Sequence, residues 1–518
     1  MNVLSHADSA LSLLPPVIAI VLAIMTRKVL LSLGVGILVG ALLLTQFSLG
    51  DTSTFLITTV KGLIWDDGAL NSWNLQILGF LIMLGMITAL ITVSGASRAF
   101  ADWAKDRIRS KRDAKLMTIF LGCVVFIDDY FNSLVVGSIS KPITDRYHIS
   151  RAKLAYLLDS TAAPVCVISP ISSWGAYIIA LIGGILTAHG FTDSGHLSVF
   201  VQMIPMNFYA IFALLLLLCV AIFGLDIGPM RQHELNAQKG ELFDESKGLP
   251  PGANPDLPEA DTGKIIGLFL PILALIAATV YFMVSSGADA LAANGKPFDV
   301  LGAFENTAVS QSLFYGSVVG FIVTLVLAFM QKLAIRLVMQ GVVAGARSML
   351  PAIYILLFAW SIAGVIGQIE TGKYMASLVT GAIPFELLPV VLFMLAGITA
   401  FSTGTSWGTF GIMLPIAADM AMGSDSTMML PMLSAVLAGA VFGDHCSPIS
   451  DTTILSSTGA SCHHIDHVIT QLPYALIVAF ISIVGYSVLG FTGSIISGFL
   501  ACSVVFAITL GGLMFYTR

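Results

Sequence analysis

Apolar runs long enough to cross a bilayer follow one another along this chain with few breaks, and they leave it little else to fold into. A helix needs ~20 mostly apolar residues to span the hydrocarbon core. Runs of about that kind fall near 10–25, 29–47, 75–94, 154–188, 199–225, 264–285, 308–330, 338–367, 431–455, 470–489 and 493–515, the first short and the fourth too long for one helix. Charged residues make up 10% of the 518 and hydrophobic ones 57%, whereas soluble domains carry roughly 25% charged residues. A bilayer can absorb that much apolar surface; a soluble core cannot. The expected class is an all-α polytopic membrane protein of about 11 transmembrane helices, with the lipid bilayer as its principal partner. A net charge of −6 gives no basic field for nucleic acid. The opening MNVLSHADSALSLLPP lacks a basic n-region and a small-residue cleavage site, so no removable signal is expected. The six cysteines are scattered, with neither metal nor disulfide spacing; they read as small packing residues.

Short cytoplasmic loops hold an excess of Lys and Arg. Arg98, Lys105, Arg107, Arg109, Lys111, Arg112 and Lys115 crowd the loop after the third run, and Arg27, Lys28, Lys332 and Arg336 mark the same side. Acidic loops with Asp51, Asp66, Asp67, Asp193, Asp289, Asp299 and Glu305 mark the other. The N-terminus is then periplasmic and Arg518 cytoplasmic, in the inner membrane of a bacterium, with 226–263 a flexible cytoplasmic linker. Residues 116–140 break the alternation: they are apolar, yet Lys115 precedes them and Lys141, Arg146, Arg151 and Lys153 follow or end them. A segment with both ends on one side is read as a re-entrant hairpin, its tip at Asp128-Asp129-Tyr130-Phe131-Asn132-Ser133. Irregular backbone at membrane depth survives only where it is buried in protein or lines a wet cavity.

The chain repeats itself. Asp159 precedes Pro164 and then Ser172-Ser173-Trp174; Asp444 precedes Pro448 and then Ser456-Ser457. Upstream, DDYFNSLVVG at 128 sits against STGTSWGTFG at 402. The basic flanks of 116–140 contrast with Glu370, Glu386 and Asp425 around a second hairpin, 387–421, so the second unit is expected to run the opposite way through the membrane. The resulting division is 1–28, an N-terminal helix; 29–225, a first inverted repeat; 226–263, the linker; 264–307, a connecting helix and outer loop; 308–490, the second repeat; and 491–518, a C-terminal helix. Inverted repeats with interrupted helices place transport sites near the bilayer midplane.

Carboxylates inside apolar segments are costly enough that each is a functional hypothesis. Asp128, Asp129, Asp159, Asp444 and Asp451 all fall in the repeated motifs. Asp159 and Asp444 are expected to be the central pair, with Asp129 and Asp451 completing a cation and proton site. Na⁺ takes oxygen ligands, and hydroxyls abound here: Ser133, Ser160, Thr161, Ser172, Ser173, Ser402, Thr403, Thr405, Ser406, Ser447, Thr452 and Ser456. Asn132, Trp174, Trp407 and His445 complete the expected lining. A carboxylate that holds either a proton or a cation, but not both, suffices for obligatory antiport; Na⁺ and H⁺ are the coupling ions and no cofactor is required. His445 reads either as a proton relay or as a neighbour orienting Asp444. His463, His464, Asp466 and His467 resemble a metal cluster but read better as a solvated turn. Arg347 either snorkels or pairs with a substrate carboxylate.

FIDDYFNS at 126–133, LLDSTAAPVCVISPISSWGA at 157–176 and GDHCSPISDTTILSSTGA at 443–460 resemble the motifs of the NhaC family of Na⁺/H⁺ antiporters. The resemblance implies the ion-transporter superfamily fold, an elevator-type movement and a homodimer, with Asp129, Asn132, Asp159, Asp444, Ser447 and Asp451 on the family's motif positions. Related proteins also exchange small organic acids or amino acids, so an ion-coupled transporter of such a solute is the alternative. A channel would need a continuous pore, and hairpins entering from opposite faces argue against one. No nucleophile–base pair suggests an enzyme.

Overall fold

The computed structural model describes residues 4–26, 28–66, 68–105, 107–126, 128–170, 172–190, 195–253, 258–371, 374 and 384–517. The loop markers Arg27, Asp67, Asp193 and Arg518 lie outside the described residues. Among the described residues the only strands are the antiparallel pair Trp65–Asp66 and Ala69–Leu70. Eight helices among the described residues are long and apolar enough to cross a membrane, nine if His196–Met206 and Phe208–Phe223, bent by 52°, count as one. This is an all-α polytopic membrane protein. The runs at 10–25, 29–47 and 154–188 give shorter helices, and the last is two: Pro170 has no N–H to continue a helix, so the chain stops at Cys166 and restarts at Ser173.

The helices that build the site are, in the first half, α1 (Leu14–Thr26), α2 (Val29–Leu44), α3 (Ser72–Val93), α4 (Lys111–Val124), α5 (Asp129–Arg146), α6 (Arg151–Cys166), α7 (Ser173–Ala188) and α8 (Phe208–Phe223). After α9 (Pro229–Gln238) come α10 (Ile266–Ala293), α11 (Val309–Met330), α12 (Ile335–Gln368), α13 (Leu388–Thr403), α14 (Ser406–Ser424), α15 (Met429–Cys446), α16 (Asp451–Gly459), α17 (His464–Thr492) and α18 (Ile495–Thr517). They pack in two groups. One joins α3, α10, α11 and α12, with α1 and α2 against α12; the other interleaves α4–α8 with α13–α17.

Four helix restarts define the second group, and each is capped by its own side chain. Asp128 Oδ1 accepts from Phe131 N (3.1 Å), and Ser172 Oγ from Gly175 N (2.8 Å). Thr405 Oγ1 accepts from Gly408 N (3.5 Å), and Ser450 Oγ from Thr453 N (3.4 Å). A cap oxygen answers one of the orphan N–H groups of a first turn, which no lipid could do. The caps stand 44 residues apart in the first half and 45 in the second.

Small residues let these backbones meet. A Cβ on Gly439 would lie 2.1 Å from Phe393 O and one on Gly443 2.0 Å from Gly397 O, so α13 and α15 touch along a glycine seam. Gly404 ends α13 at φ +69°, where a Cβ would also meet Ile449 O at 2.6 Å. That turn lays the α13–α14 break against the α15–α16 break, tied by Ser447 Oγ donating to Phe401 O (2.7 Å). The two halves meet where Gly137 abuts Gly459 and Ser133 Oγ pairs with Ser456 Oγ at 2.9 Å.

The stretch 226–263 carries helix α9 and is stitched to both groups, in contrast to the flexible linker its composition suggests. Glu234 accepts from Ser150 N and Oγ (2.8 and 2.7 Å), Lys153 pairs with Asp226 (2.7 Å), and Lys247 with Asp466 (2.7 Å). On the other group, Gly252 N donates to Ser348 O of α12 (3.1 Å), and Asp261 pairs with Arg98 just beyond α3 (3.1 Å). Asp226, Glu234, Lys247 and Asp261 find fixed partners, which composition cannot foretell.

Candidate functional site

A cavity of about 210 Å³ lies where the α4–α5, α13–α14 and α15–α16 breaks face the ends of α3, α11 and α12. Asp128, Asp129, Tyr130, Thr405, Trp407 and Asp451 line it from the breaks; Trp73, Ile77, Val309, Leu313 and Trp360 line it from the other group. Asp128 is committed to its cap and to Ser173 Oγ, which donates at 2.9 Å. Asp129 accepts from Thr452 Oγ1 (3.1 Å). Asp451 accepts from the Tyr130 hydroxyl and from Thr452 N (2.8 Å). Asp129 and Asp451 therefore come from opposite halves of the chain and share one threonine. With three carboxylates so near, a single bound cation or proton relieves their mutual repulsion.

Asp444 sits behind this cavity. Its Oδ2 accepts from Ser406 Oγ (2.8 Å) and Ser406 N (3.4 Å), so the residue next to cavity-lining Thr405 links the two. Its buried Oδ1 makes no hydrogen bond of good geometry among the described residues. His445 is held between Tyr209 OH on Nδ1 (2.8 Å) and Ser160 Oγ on Nε2 (3.1 Å). Both ring nitrogens thus face hydroxyls rather than Asp444.

Asp159 lies in a closed cage, fully buried. Ser456 Oγ (3.2 Å), Thr453 Oγ1 (3.4 Å), His467 Nε2 (3.1 Å) and Gln471 Nε2 (2.6 Å) all donate to its carboxylate. Gln471 also donates to the His445 carbonyl. Such a set satisfies most of a carboxylate's lone pairs and welds α6 to α16 and α17. Asp159 does not reach the cavity lining, and among the described residues Thr453, which also bonds Asp444 O (3.3 Å), connects the two aspartates expected to pair.

The remaining expected residues divide into binders and builders. Asn132 Nδ2 donates to Gly122 O (2.6 Å) and Val125 O (2.8 Å), where α4 ends, and to Thr161 O (3.3 Å) on α6. Thr161 packs against Gly122 and bonds back to Leu157 O (2.9 Å). Thr403 bonds only local carbonyls (3.4 and 3.5 Å) and Ser402 is buried nearby. Trp407 is stacked on Tyr177 (4.6 Å) and meets buried Trp174 edge-on (6.0 Å).

Sequence reasoning missed Trp73 and Trp360 in the cavity and Gln471 around Asp159; it had Tyr130 at the hairpin tip, and His467 in the histidine turn rather than on Asp159. Gln471 was findable as an amide inside an apolar run. The histidine turn is not solvated: His464 and His467 are buried, the former on Pro448 O (2.8 Å). Among the described residues no group of three His, Cys, Asp or Glu is placed to hold a metal ion. Arg347 lines a separate surface cavity with Arg336 and Gln340, away from the carboxylates.

Residues 165–491 match the Na⁺/H⁺ antiporter family. A Haemophilus influenzae protein is 51% identical over 507 residues, 97% of this chain and 95% of its own. The malate-2H⁺/Na⁺-lactate antiporter of Bacillus subtilis is 30% identical over 156 residues, 29% of this chain and 32% of that one. The arginine/ornithine antiporter of Halobacterium salinarum is 36% identical over 147 residues, 28% of this chain and 29% of that one. The chain belongs to the Na⁺/H⁺ antiporter family, and is a transporter rather than an enzyme.

Proposed function

We propose that this protein exchanges Na⁺ for H⁺ by alternating access, with Asp129 and Asp451 as the groups that hold either ion and Asp444 as a carboxylate behind them. The observation that carries the reading is the meeting of two carboxylates from opposite halves at one cavity, where they share Thr452. A Na⁺ there would take oxygens from Asp129, Asp451 and the neighbouring hydroxyls of Thr405 and Thr452; protonation would dismiss it. Asp159, which sequence paired with Asp444, acts in this reading as the post that holds α6, α16 and α17 in register. The matched cap spacing and the meeting of the halves at Gly137 and Gly459 support an inverted repeat with two re-entrant hairpins. An elevator-type movement of the second helix group, in a homodimer of the bacterial inner membrane with the N-terminus periplasmic and the C-terminus cytoplasmic, completes the proposal.

The test is purified protein in vesicles loaded with a pH dye. Added Na⁺ should drive proton movement that tracks its gradient and reverses with it; silence from folded protein would overturn the reading. The second reading, transport of a small organic solute coupled to Na⁺ or H⁺, is favoured by the cavity's size. Two relatives bear names of organic-solute antiporters.

A further inference from the structure

We infer that the cavity at the helix breaks binds a small organic ammonium ion, a conclusion that rests on this cavity being the transport site and names the class of cargo it is built for. Size comes first. A water molecule takes up roughly 30 Å³ in the liquid, so about 210 Å³ is far more room than a dehydrated Na⁺ needs. It is also below the ~300–1,000 Å³ of drug-sized sites. A solute of a few non-hydrogen atoms fits.

The lining then selects the sign of its charge. None of the described lining residues is basic, and three are aspartates. The helix N-termini that could attract an anion are already answered by their own oxygens: Asp128 on Phe131 N, Asp451 on Thr452 N and Thr405 on Gly408 N. Arg347, the side chain best suited to a substrate carboxylate, faces a different cavity. What remains for a ligand is negative charge and aromatic surface.

The aromatic surface is the part that a bare cation would leave unused. Trp73, Tyr130, Trp360 and Trp407 line the cavity from four separate segments, two from each helix group. Trp407 is braced on one face by Tyr177 at 4.6 Å. Aromatic rings beside carboxylates are the recognition chemistry of alkylammonium groups, whose charge is diffuse and whose methyl or methylene surface is apolar. Rings contributed by both groups would also make closure around the cargo depend on its presence.

The experiment is a titration of the detergent-purified full chain, read by tryptophan fluorescence and by thermal stability. The probes are ethanolamine and tetramethylammonium, with lactate and malonate as matched anions. At least one ammonium should bind saturably and compete with Na⁺, while neither anion does. Trp360→Leu should weaken that binding about tenfold, and the competition in the unaltered protein stands even if this variant fails to fold. Saturable binding of lactate or malonate without ammonium binding would overturn the inference. So would Na⁺-driven proton flux in a protein that binds none of the four. Ammonium binding in a protein without Na⁺/H⁺ flux would uphold the inference and overturn the coupling proposal instead.

Discussion

Asp159 and Asp129 are both buried aspartates in the same half of the chain, yet their surroundings differ in kind. Asp159 receives four side-chain donors, His467 and Gln471 among them, and does not line the cavity at the breaks. Asp129 receives one described hydroxyl, from Thr452, and opens on a cavity that it shares with Asp451. A carboxylate whose lone pairs are filled by fixed protein donors has little left for a travelling ion. One that is short of donors and faces a wet space needs a cation or a proton to complete it. The comparison separates architecture from exchange within a single motif set, although both residues carry the same cost of burial in an apolar segment.

The largest effect is expected at the open carboxylates. Asp129→Asn and Asp451→Asn should each reduce Na⁺-driven proton flux by two orders of magnitude or more while the purified protein keeps its helical circular dichroism and its thermal transition. Next comes the cage. Asp159→Ala takes the carboxylate from His467 and leaves Gln471 with the His445 carbonyl alone, and removing one partner from a buried charged cluster costs roughly 3–5 kcal/mol. A lowered thermal midpoint and poor recovery should follow. Asp159→Asn should lose less, and a midpoint equal to that of the unaltered protein would contradict the structural role.

A smaller effect is expected at the seam that joins the halves. Gly459→Ala would set a methyl 2.4 Å from Ser133 O, against backbone that cannot move aside; overpacking of this sort costs typically 1–3 kcal/mol. Both stability and flux should fall together, unlike the clean loss at Asp129.

The smallest effect is where the stretch 226–263 is stitched to α17. Burial lowers the Lys247 pKa, but its bonds to Asp466 and Asp244 more than offset this and hold the ammonium above its ordinary 10.5. A raised folded-state value means the pair contributes fully below pH 10.5 and is lost only as pH rises through the raised value. The Lys247 side chain keeps 30% of its surface exposed, so solvent screening keeps the stabilisation to about 1 kcal/mol. Lys247→Ala should therefore speed proteolytic cleavage within 240–253 at pH 7, without changing the Na⁺ dependence of flux.

Much of this arrangement was legible in the chain. Aspartates in apolar runs are so expensive that Asp128, Asp129, Asp159, Asp444 and Asp451 stood out, and all five are buried or half-buried around the breaks. Of the five residues expected to unwind helices, Pro170, Gly404 and Pro448 stand at breaks, whereas Pro164 lies inside α6 and Gly408 inside α14. The partners were harder to read. Trp73 and Trp360 reach the cavity from α3 and α12, helices without a motif, and aromatics near span ends look like interfacial anchors. His467 and Gln471 stand one turn apart on α17, but only tertiary packing reveals that both aim at Asp159. For the same reason the sequence could rank Asp159 beside Asp444 by pattern but could not see that four donors already surround it.

The measurement that bears most directly on the account is Na⁺-driven proton flux per folded transporter, for the unaltered protein, Asp129→Asn and Asp159→Asn reconstituted side by side. The account predicts flux in the first, none in the second, and flux in whatever fraction of the third is folded. Flux retained by Asp129→Asn and abolished in fully folded Asp159→Asn would place the exchange in the cage and contradict it.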